Sequence, residues 1–241
     1  MSFESLYSEF YDDIHRDKDY EYESKQIVEV MTQNEVRNAK ILDFGCGTGT
    51  HVQVLSQMGF DVSGYDVNPN MIEVARRTLD LKFYEEIGSI PKEFNFVYSL
   101  FDVLSYQVSD EEVEKFIMQV NSTVKPGGWV LLDGWHSPAL KVDPPGNRVK
   151  NFEYKNIEFS RMVTVLEMNP KSVTTLLVEI KDINSKIIIH SEVHKLRPFN
   201  LSELQLFIEK SGGYNLKFCN GTDYSKSLTD TDWRLAVTYQ V

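Results

Sequence analysis

Residues 39–51, Ala-Lys-Ile-Leu-Asp-Phe-Gly-Cys-Gly-Thr-Gly-Thr-His, run a short apolar strand (Ile41, Leu42) into a loop with glycines at 45, 47 and 49, headed by Asp43. Nineteen residues past the central glycine, a second apolar run over 62–65 ends in Asp66. A glycine-rich turn after a first strand, with an acid at the tip of the next, is how an open parallel sheet holds an adenosine. Bare backbone approaches the ligand, and the carboxylate takes the ribose hydroxyls. The pattern therefore demands an α/β chain and points to an adenosine-containing cofactor.

The remaining sequence repeats the alternation. Residues 20–31 predict a helix ahead of the first strand, and 51–58 a short helix after the glycine loop. Asn68 caps a helix with Pro69 at its first position and an apolar stripe of Met71, Ile72, Ala75 and Leu79. Residues 94–100 read as a buried strand. Ser109 with Glu112 forms a capping box for a helix that buries Val113, Phe116, Ile117 and Val120, and Pro126-Gly127-Gly128 turns the chain into a strand over 129–132. Strand and helix alternating from 39 to about 133 predict a doubly wound, mostly parallel sheet covered on both faces.

The pattern then changes to three β runs, 158–168, 172–182 and 186–196, joined at Asn169-Pro170 and Asn184-Ser185. Consecutive strands with short turns predict an inserted antiparallel meander. Asn200 and Glu203 open a late helix that stops at Gly212-Gly213, and runs at 214–219 and 233–239 close the sheet. The expected organisation is 1–140 as an amino-terminal lid and cofactor-binding core, 141–198 as the insertion, covering the substrate or pairing subunits, and 199–241 as the closing part of the core.

Glycine spacing bears on the cofactor. A dinucleotide loop reads G-x-G-x-x-G, whereas here Thr50 takes the place of its third glycine and Gly49 arrives one residue early. With Asp43 in front, the string resembles the first motif of class I S-adenosylmethionine-dependent methyltransferases. That resemblance implies seven strands in the doubly wound, mostly parallel sheet, with S-adenosyl-L-methionine as cofactor and S-adenosyl-L-homocysteine as product. It places Asp43 close to the cofactor and Asp66 on its ribose. Gly45, Cys46, Gly47, Gly49, Val67, Met71, Leu100 and Phe101 complete the expected cofactor set.

Further stretches are similar to the bacterial sugar-nucleotide amino-methyltransferases, which dimethylate an amino-deoxysugar carried on a nucleoside diphosphate. Tyr11-Asp12-Asp13-Ile14-His15 and Lys18-Asp19-Tyr20 look like that family's amino-terminal motifs. Residues 94–106 stand in the place of its fourth strand and active-site loop. Asp133-Gly134-Trp135-His136-Ser137-Pro138 resembles its acid-x-Trp segment, and residues 190–201 resemble its strand leading into the late helix. Two positions depart: Tyr106 stands where the family has a histidine near the reacting amine, and the family's Gly-Asp after the third strand is absent, leaving Glu85 or Glu86 as substitutes for its adenine contact.

The resemblance implies methyl transfer to an amino group. An amine loses a proton around attack, so Tyr106, His136 or His15 is a candidate acceptor, and Tyr11 is the first choice to lie over the methyl group, since ring faces attract positive charge. Tyr20, Asp102, Trp135, Arg148 and Arg161 are the expected substrate contacts. The amino-terminal segment, rich in acids and tyrosines, reads equally as a lid over the site or as a solvated helix.

Composition bounds the alternatives. Net charge is −11, which opposes a phosphate backbone, so nucleic acid is not the expected substrate. Charge is uneven, however: residues 141–161 hold five bases (Lys141, Arg148, Lys150, Lys155, Arg161) against three acids, a patch suited to a small phosphorylated substrate or simply a solvated loop. No apolar window reaches membrane-span length, the start Met-Ser-Phe-Glu-Ser lacks signal-peptide character, and two cysteines make no disulfide framework, so a cytoplasmic protein acting on a small molecule is expected, with a homodimer as the expected assembly. His190 and His194 share one strand face, with no third residue at metal-ligand spacing. An O-methyltransferase, a non-catalytic cofactor-binding regulator and a nicotinamide-dependent oxidoreductase remain alternatives.

Overall fold

A computed structural model of the chain describes residues 3–169 and 173–241. Met1, Ser2, Pro170 and the start of the second expected β run at Ser172 lie outside these. The amino-terminal half comprises α1 (Phe3–Ile14), α2 (Tyr20–Gln33), β1 (Lys40–Phe44), α3 (Thr50–Gln57), β2 (Asp61–Tyr65), α4 (Pro69–Thr78), β3 (Lys82–Tyr84), β4 (Phe94–Ser99), α5 (Asp110–Thr123) and β5 (Val124–Trp135). There follow α6 (Ser137–Val142), β6 (Arg148–Tyr154), β7 (Ile157–Glu167), β8 (Thr174–Asp182), β9 (Ile188–Leu196), α7 (Leu201–Lys210), β10 (Tyr214–Asn220) and β11 (Arg234–Gln240).

Seven strands form one sheet in the order β10-β11-β5-β4-β1-β2-β3, parallel from β5 to β3 and antiparallel at β11 and β10. Both faces are apolar because alternate side chains of each buried strand must find a cover. On one face Leu42, Val97, Val130, Leu132 and Val237 pack against Phe116, Ile117 and Val120 of α5 and Leu204, Phe207 and Ile208 of α7. On the other, Ile41, Phe96, Tyr98, Leu131 and Ala236 pack against Ile27, Val30 and Met31 of α2, Val52 and Leu55 of α3, and Ile72 and Ala75 of α4.

Helix starts fall where capping chemistry put them. Asn68 accepts from Asn70 N–H, Ser109 and Glu112 close a reciprocal capping box, and Asn200 accepts from Glu203 N–H. Pro126-Gly127-Gly128 corrects the reading: β5 begins five residues earlier than expected, at Val124, and carries these residues as a bulge between the Phe94–Val124 and Phe96–Trp129 pairs, with Gly127 N–H bonded to Val241 C=O.

The insertion has four strands rather than three, ordered β6-β7-β8-β9. The basic stretch expected as a loop supplies β6, whose Phe152 pairs with Phe159 of β7. Its polar alternation gives little apolar signal until the partner strand is in place. One face of this sheet rests on α1: Phe10 and Ile14 are buried against Phe152, Phe159 and Ile180. The amino-terminal helix is thus packed between the insertion and the core rather than solvated all round. Among the described residues no helix is long and apolar enough to cross a membrane.

Candidate active site

The glycine loop is stitched to the tip of β2. Gly45 and Cys46 N–H both donate to Tyr65 C=O, at 2.7 and 2.9 Å. Gly45 lies at φ +96°, and a Cβ there would come within 2.7 Å of Val103, so only glycine lets the turn pass beneath the 3-10 turn Val103–Tyr106. Asp66 accepts Gly47 N–H and Asn68 N–H, each at 2.8 Å. Burial pushes its carboxyl up and the two backbone bonds pull it back. Asp43, buried under the loop, is pushed up to about 7 by its burial.

Above the loop is a cleft of about 350 Å³. Asp43, Gly45, Cys46 and Gly47 form its floor, Tyr11, Lys18 and Tyr20 its amino-terminal wall, and Leu100 and Phe101 its far side. The descent from α1 to α2 is pinned across it: Asp12 accepts from the Thr48 hydroxyl at 2.5 Å, and Glu23 meets His51 Nε2 at 2.7 Å and Lys18 Nζ at 3.1 Å. The Lys18 ammonium stands 3.7 Å over the Phe101 ring. Beyond Lys18 and Phe101 the cleft continues into a second space of about 470 Å³ reaching Asp133, Tyr224 and Arg234.

Phe101 and Asp102 both hold left-handed backbone, φ 68° and 67°, a conformation that side chains resist. Asp133, at the end of β5, holds them there by accepting Phe101 N–H at 3.0 Å and Asp102 N–H at 2.8 Å. Arg234 of β11 then grips the Asp102 carboxylate in a fork at 2.9 and 2.8 Å.

On the insertion side, Tyr106 is half exposed and its hydroxyl lies 2.8 Å from His194 Nδ1. His194 Nε2 lies 2.6 Å from Glu192 Oε1. His190 meets the other oxygen of Glu192 at 3.3 Å and stacks on Tyr7 at 5.2 Å. Burial raises the Glu192 carboxyl, but the bonds from His190 and His194 outweigh it and hold the group at about 2. His15 stands edge-on to Phe101 at 5.1 Å, and burial, then Arg161 and Lys18, depress it to about 4.

The cleft therefore brings together eight expected residues: Tyr11, Tyr20, Asp43, Gly45, Cys46, Gly47, Leu100 and Phe101. Asp66 joins it through Gly47, and Gly49 caps α3 with Phe83 behind it. Val67 is exposed and Met71 is buried in the first turn of α4. Arg161 lies on the insertion face near Tyr7, and Arg148 stacks over Trp233 at 5.8 Å. Trp135 packs edge-on to the same Trp233 at 5.6 Å.

Three expectations meet a different geometry. His136 is buried outside both spaces, its Nδ1 3.0 Å from Asp232 C=O, so it faces the 232–233 turn rather than the cleft. Glu86 is exposed ahead of a 3-10 turn, and its neighbour Glu85 pairs with Arg76, so neither lines the cleft. Asp102 is committed to Arg234. Lys18, Glu23, Asp133, Arg234, Glu192 and His194 make these contacts without a local pattern that announces them: Lys18 and Asp133 lie within motifs of the family resemblance, whereas Arg234 carries no sequence signal, its partner lying 132 residues away.

Residues 15–186 match the family model described as a methyltransferase domain. The chain is 26% identical over 146 residues to dTDP-3-amino-3,4,6-trideoxy-alpha-D-glucopyranose N,N-dimethyltransferase of Streptomyces venezuelae, covering 57% of this chain and 59% of that one. To dTDP-3-amino-3,6-dideoxy-alpha-D-glucopyranose N,N-dimethyltransferase of Streptomyces fradiae it is 25% identical over 141 residues, 54% of each. The chain thus spans somewhat over half the length of these curated relatives. A crystal structure of an S-adenosylmethionine-dependent methyltransferase from Clostridium acetobutylicum superposes with a TM-score of 0.76 at 17% identity, covering 98% of both chains, which is a likeness of fold.

Proposed function

The chain belongs to the methyltransferase-domain family, and on that footing we propose that it is an S-adenosylmethionine-dependent enzyme that methylates the amino group of a small acceptor, a nucleotide-linked amino sugar. The observation that carries the reading is the bare glycine floor with Asp66 at the tip of β2 and Tyr11 and Phe101 on either side. A floor with bare backbone at Gly45 and Gly47 suits a cofactor that has no phosphate to cradle, and the Asp66 carboxylate suits ribose hydroxyls. The cofactor supplies the activated methyl group. The chain's own residues orient the amine, exclude water and receive its proton.

In this reading residues 1–140 and 199–241 hold the donor, with Val67, Met71 and Gly49 shaping its adenosine end. The insertion 141–198 covers the acceptor, with Tyr20, Trp135, Arg148 and Arg161 toward it. The relatives named above act, by their names, on dTDP-linked amino sugars, and Lys150 pairs directly with Arg161 across β6 and β7 with Arg148 two residues along the same face, a basic cluster suited to a diphosphate. The setting is cytoplasmic, and the outward Val149, Leu166 and Val193 of the insertion, each more than half exposed, suit pairing with a second copy, which light scattering would reveal as twice the chain mass.

The test is calorimetric titration with S-adenosylmethionine and, separately, NAD, on wild type and Asp66→Ala. Binding of the methyl donor alone, weakened by the substitution, supports the reading. Binding of NAD alone overturns it. Mass spectrometry of dTDP-3-amino-3,6-dideoxyglucose after incubation with the donor then tests the acceptor.

A further inference from the structure

We propose that Tyr106, His194 and Glu192 form a proton relay that takes the proton from the acceptor amine, linking the core to the insertion sheet. The proposal rests on the reading of the site as an amine methyltransferase. Its geometric basis is an unbroken chain of side chains, 2.8 Å from Tyr106 Oη to His194 Nδ1 and 2.6 Å from His194 Nε2 to Glu192 Oε1.

The direction of the chain follows from what each atom can do. An ionised Glu192 only accepts, so the proton on the neutral His194 ring resides on Nε2. Nδ1 is then an acceptor, and Tyr106 must donate to it. The hydroxyl oxygen keeps a lone pair free, and Tyr106 is 47% exposed, on the turn that directly follows the cleft residues Leu100 and Phe101. A protonated amine placed against that oxygen completes the line. The amine N–H bond breaks, its proton moves to Tyr106 Oη, and the Tyr106 proton moves to His194 Nδ1. The nitrogen keeps the electron pair that forms the new bond to the methyl carbon, the carbon–sulfur bond of S-adenosylmethionine breaks with its electron pair left on the sulfur of S-adenosylhomocysteine, and the imidazolium remains beside the Glu192 carboxylate.

The surroundings favour a shuttle over a free phenolate. Although the residue as a whole is half exposed, its hydroxyl end is desolvated and lies near Tyr7, Asp102 and Glu192, which raises it above its ordinary value and favours giving up its proton as it receives another. Tyr7 and Tyr11 of α1, Asp102 of the preceding turn, Arg161 of β7 and His190 of β9 are the other titratable or charged groups around the chain. His190 Nε2 lies 3.3 Å from the second oxygen of Glu192, an electrostatic contact that favours the ionised carboxylate. Glu192 is therefore a positioning residue, and Tyr106 and His194 are the groups that move the proton.

The experiment compares wild type with Tyr106→Phe, His194→Gln and Glu192→Gln in single turnovers with S-adenosylmethionine and dTDP-3-amino-3,6-dideoxyglucose, from pH 6 to 10. Tyr106→Phe and His194→Gln are each expected to slow methylation by about 10²-fold at pH 7. The deficit should shrink as pH rises and the amine arrives already deprotonated, while donor affinity by calorimetry stays within about twofold. Glu192→Gln should fall between. Rates equal to wild type, or a deficit that stays constant across pH as a packing defect would give, overturn the relay. If wild type binds the donor yet leaves the aminosugar unmethylated, the acceptor reading fails and the relay falls with it. If wild type methylates and Tyr106→Phe matches it, the relay alone fails.

Discussion

Replacing Asp133 by alanine isolates the device that shapes the far wall of the cleft. Asp133 is 2% exposed and accepts two backbone N–H groups from residues whose left-handed backbone would otherwise relax. Each buried donor left without an acceptor costs about 1–3 kcal/mol. Arg234 keeps its fork on Asp102 and loses only the longer 3.6 Å contact to Asp133, which adds little. Against this, burial pushes Asp133 itself up to about 7, with Arg234 pulling down and Asp102 pushing up, so part of its interaction at neutral pH is already spent on ionising it. The net cost of Asp133→Ala is therefore about 3–4 kcal/mol, near the middle of the two-donor range. For a chain of this size that is a fall in melting temperature of about 6–16 °C. Asp133→Asn keeps one acceptor oxygen and should lose about half as much. Differential scanning calorimetry at pH 7 reads both. A melting point for Asp133→Ala within about 2 °C of wild type would refute the clamp, as would Asp133→Asn falling below Asp133→Ala.

His15 gives a pH signature. The folded protein keeps it neutral down to about 4, whereas the unfolded chain takes a proton below about 6.5, so the unfolded state binds more protons between these values and stability falls as pH is lowered through them. Urea unfolding at pH 5 and 7 should show wild type losing about 2 kcal/mol more than His15→Gln over that step. Gly45→Ala places a Cβ at φ +96° against Val103 and should weaken donor binding by roughly tenfold or more, measured calorimetrically, with the fold retained by circular dichroism. Phe10→Ala empties a site ringed by Phe152, Tyr154 and Phe159 and should cost about 3–5 kcal/mol in urea, with faster amide exchange in β6 and β7.

The parallel sheet was legible because its signals are local. Ile41-Leu42 before the glycines, Asn68-Pro69 and the Ser109–Glu112 box each state their conformation within a few residues. The floor of the cleft was legible for the same reason. What escaped is long-range. Strand β6 reads as a basic loop until Phe152 meets Phe159 and Phe10, and α1 reads as polar until the insertion covers Phe10 and Ile14. Asp102 reads as a substrate contact until Arg234 arrives from the last strand. His190 and His194 were visible as a one-face pair, but Tyr106 lies 88 residues from His194, and no local pattern announces a hydrogen bond over that separation.

Strand β9 places His190, Glu192, His194 and Leu196 inward and leaves Ser191, Val193 and Lys195 to solvent, with a turn at 183–187 setting the phase. Adding or deleting one residue in that turn without a compensating bulge would rotate the whole set, sending Val193 toward Tyr106 and the histidines into water. Length changes tolerated there during divergence must therefore come in pairs, or be absorbed by a bulge such as the one beside Lys181. The number of residues in this turn, as much as the Asp182 carboxylate that accepts Asn184 N–H and Ser185 N–H within it, therefore sets which side chains of β9 reach Tyr106.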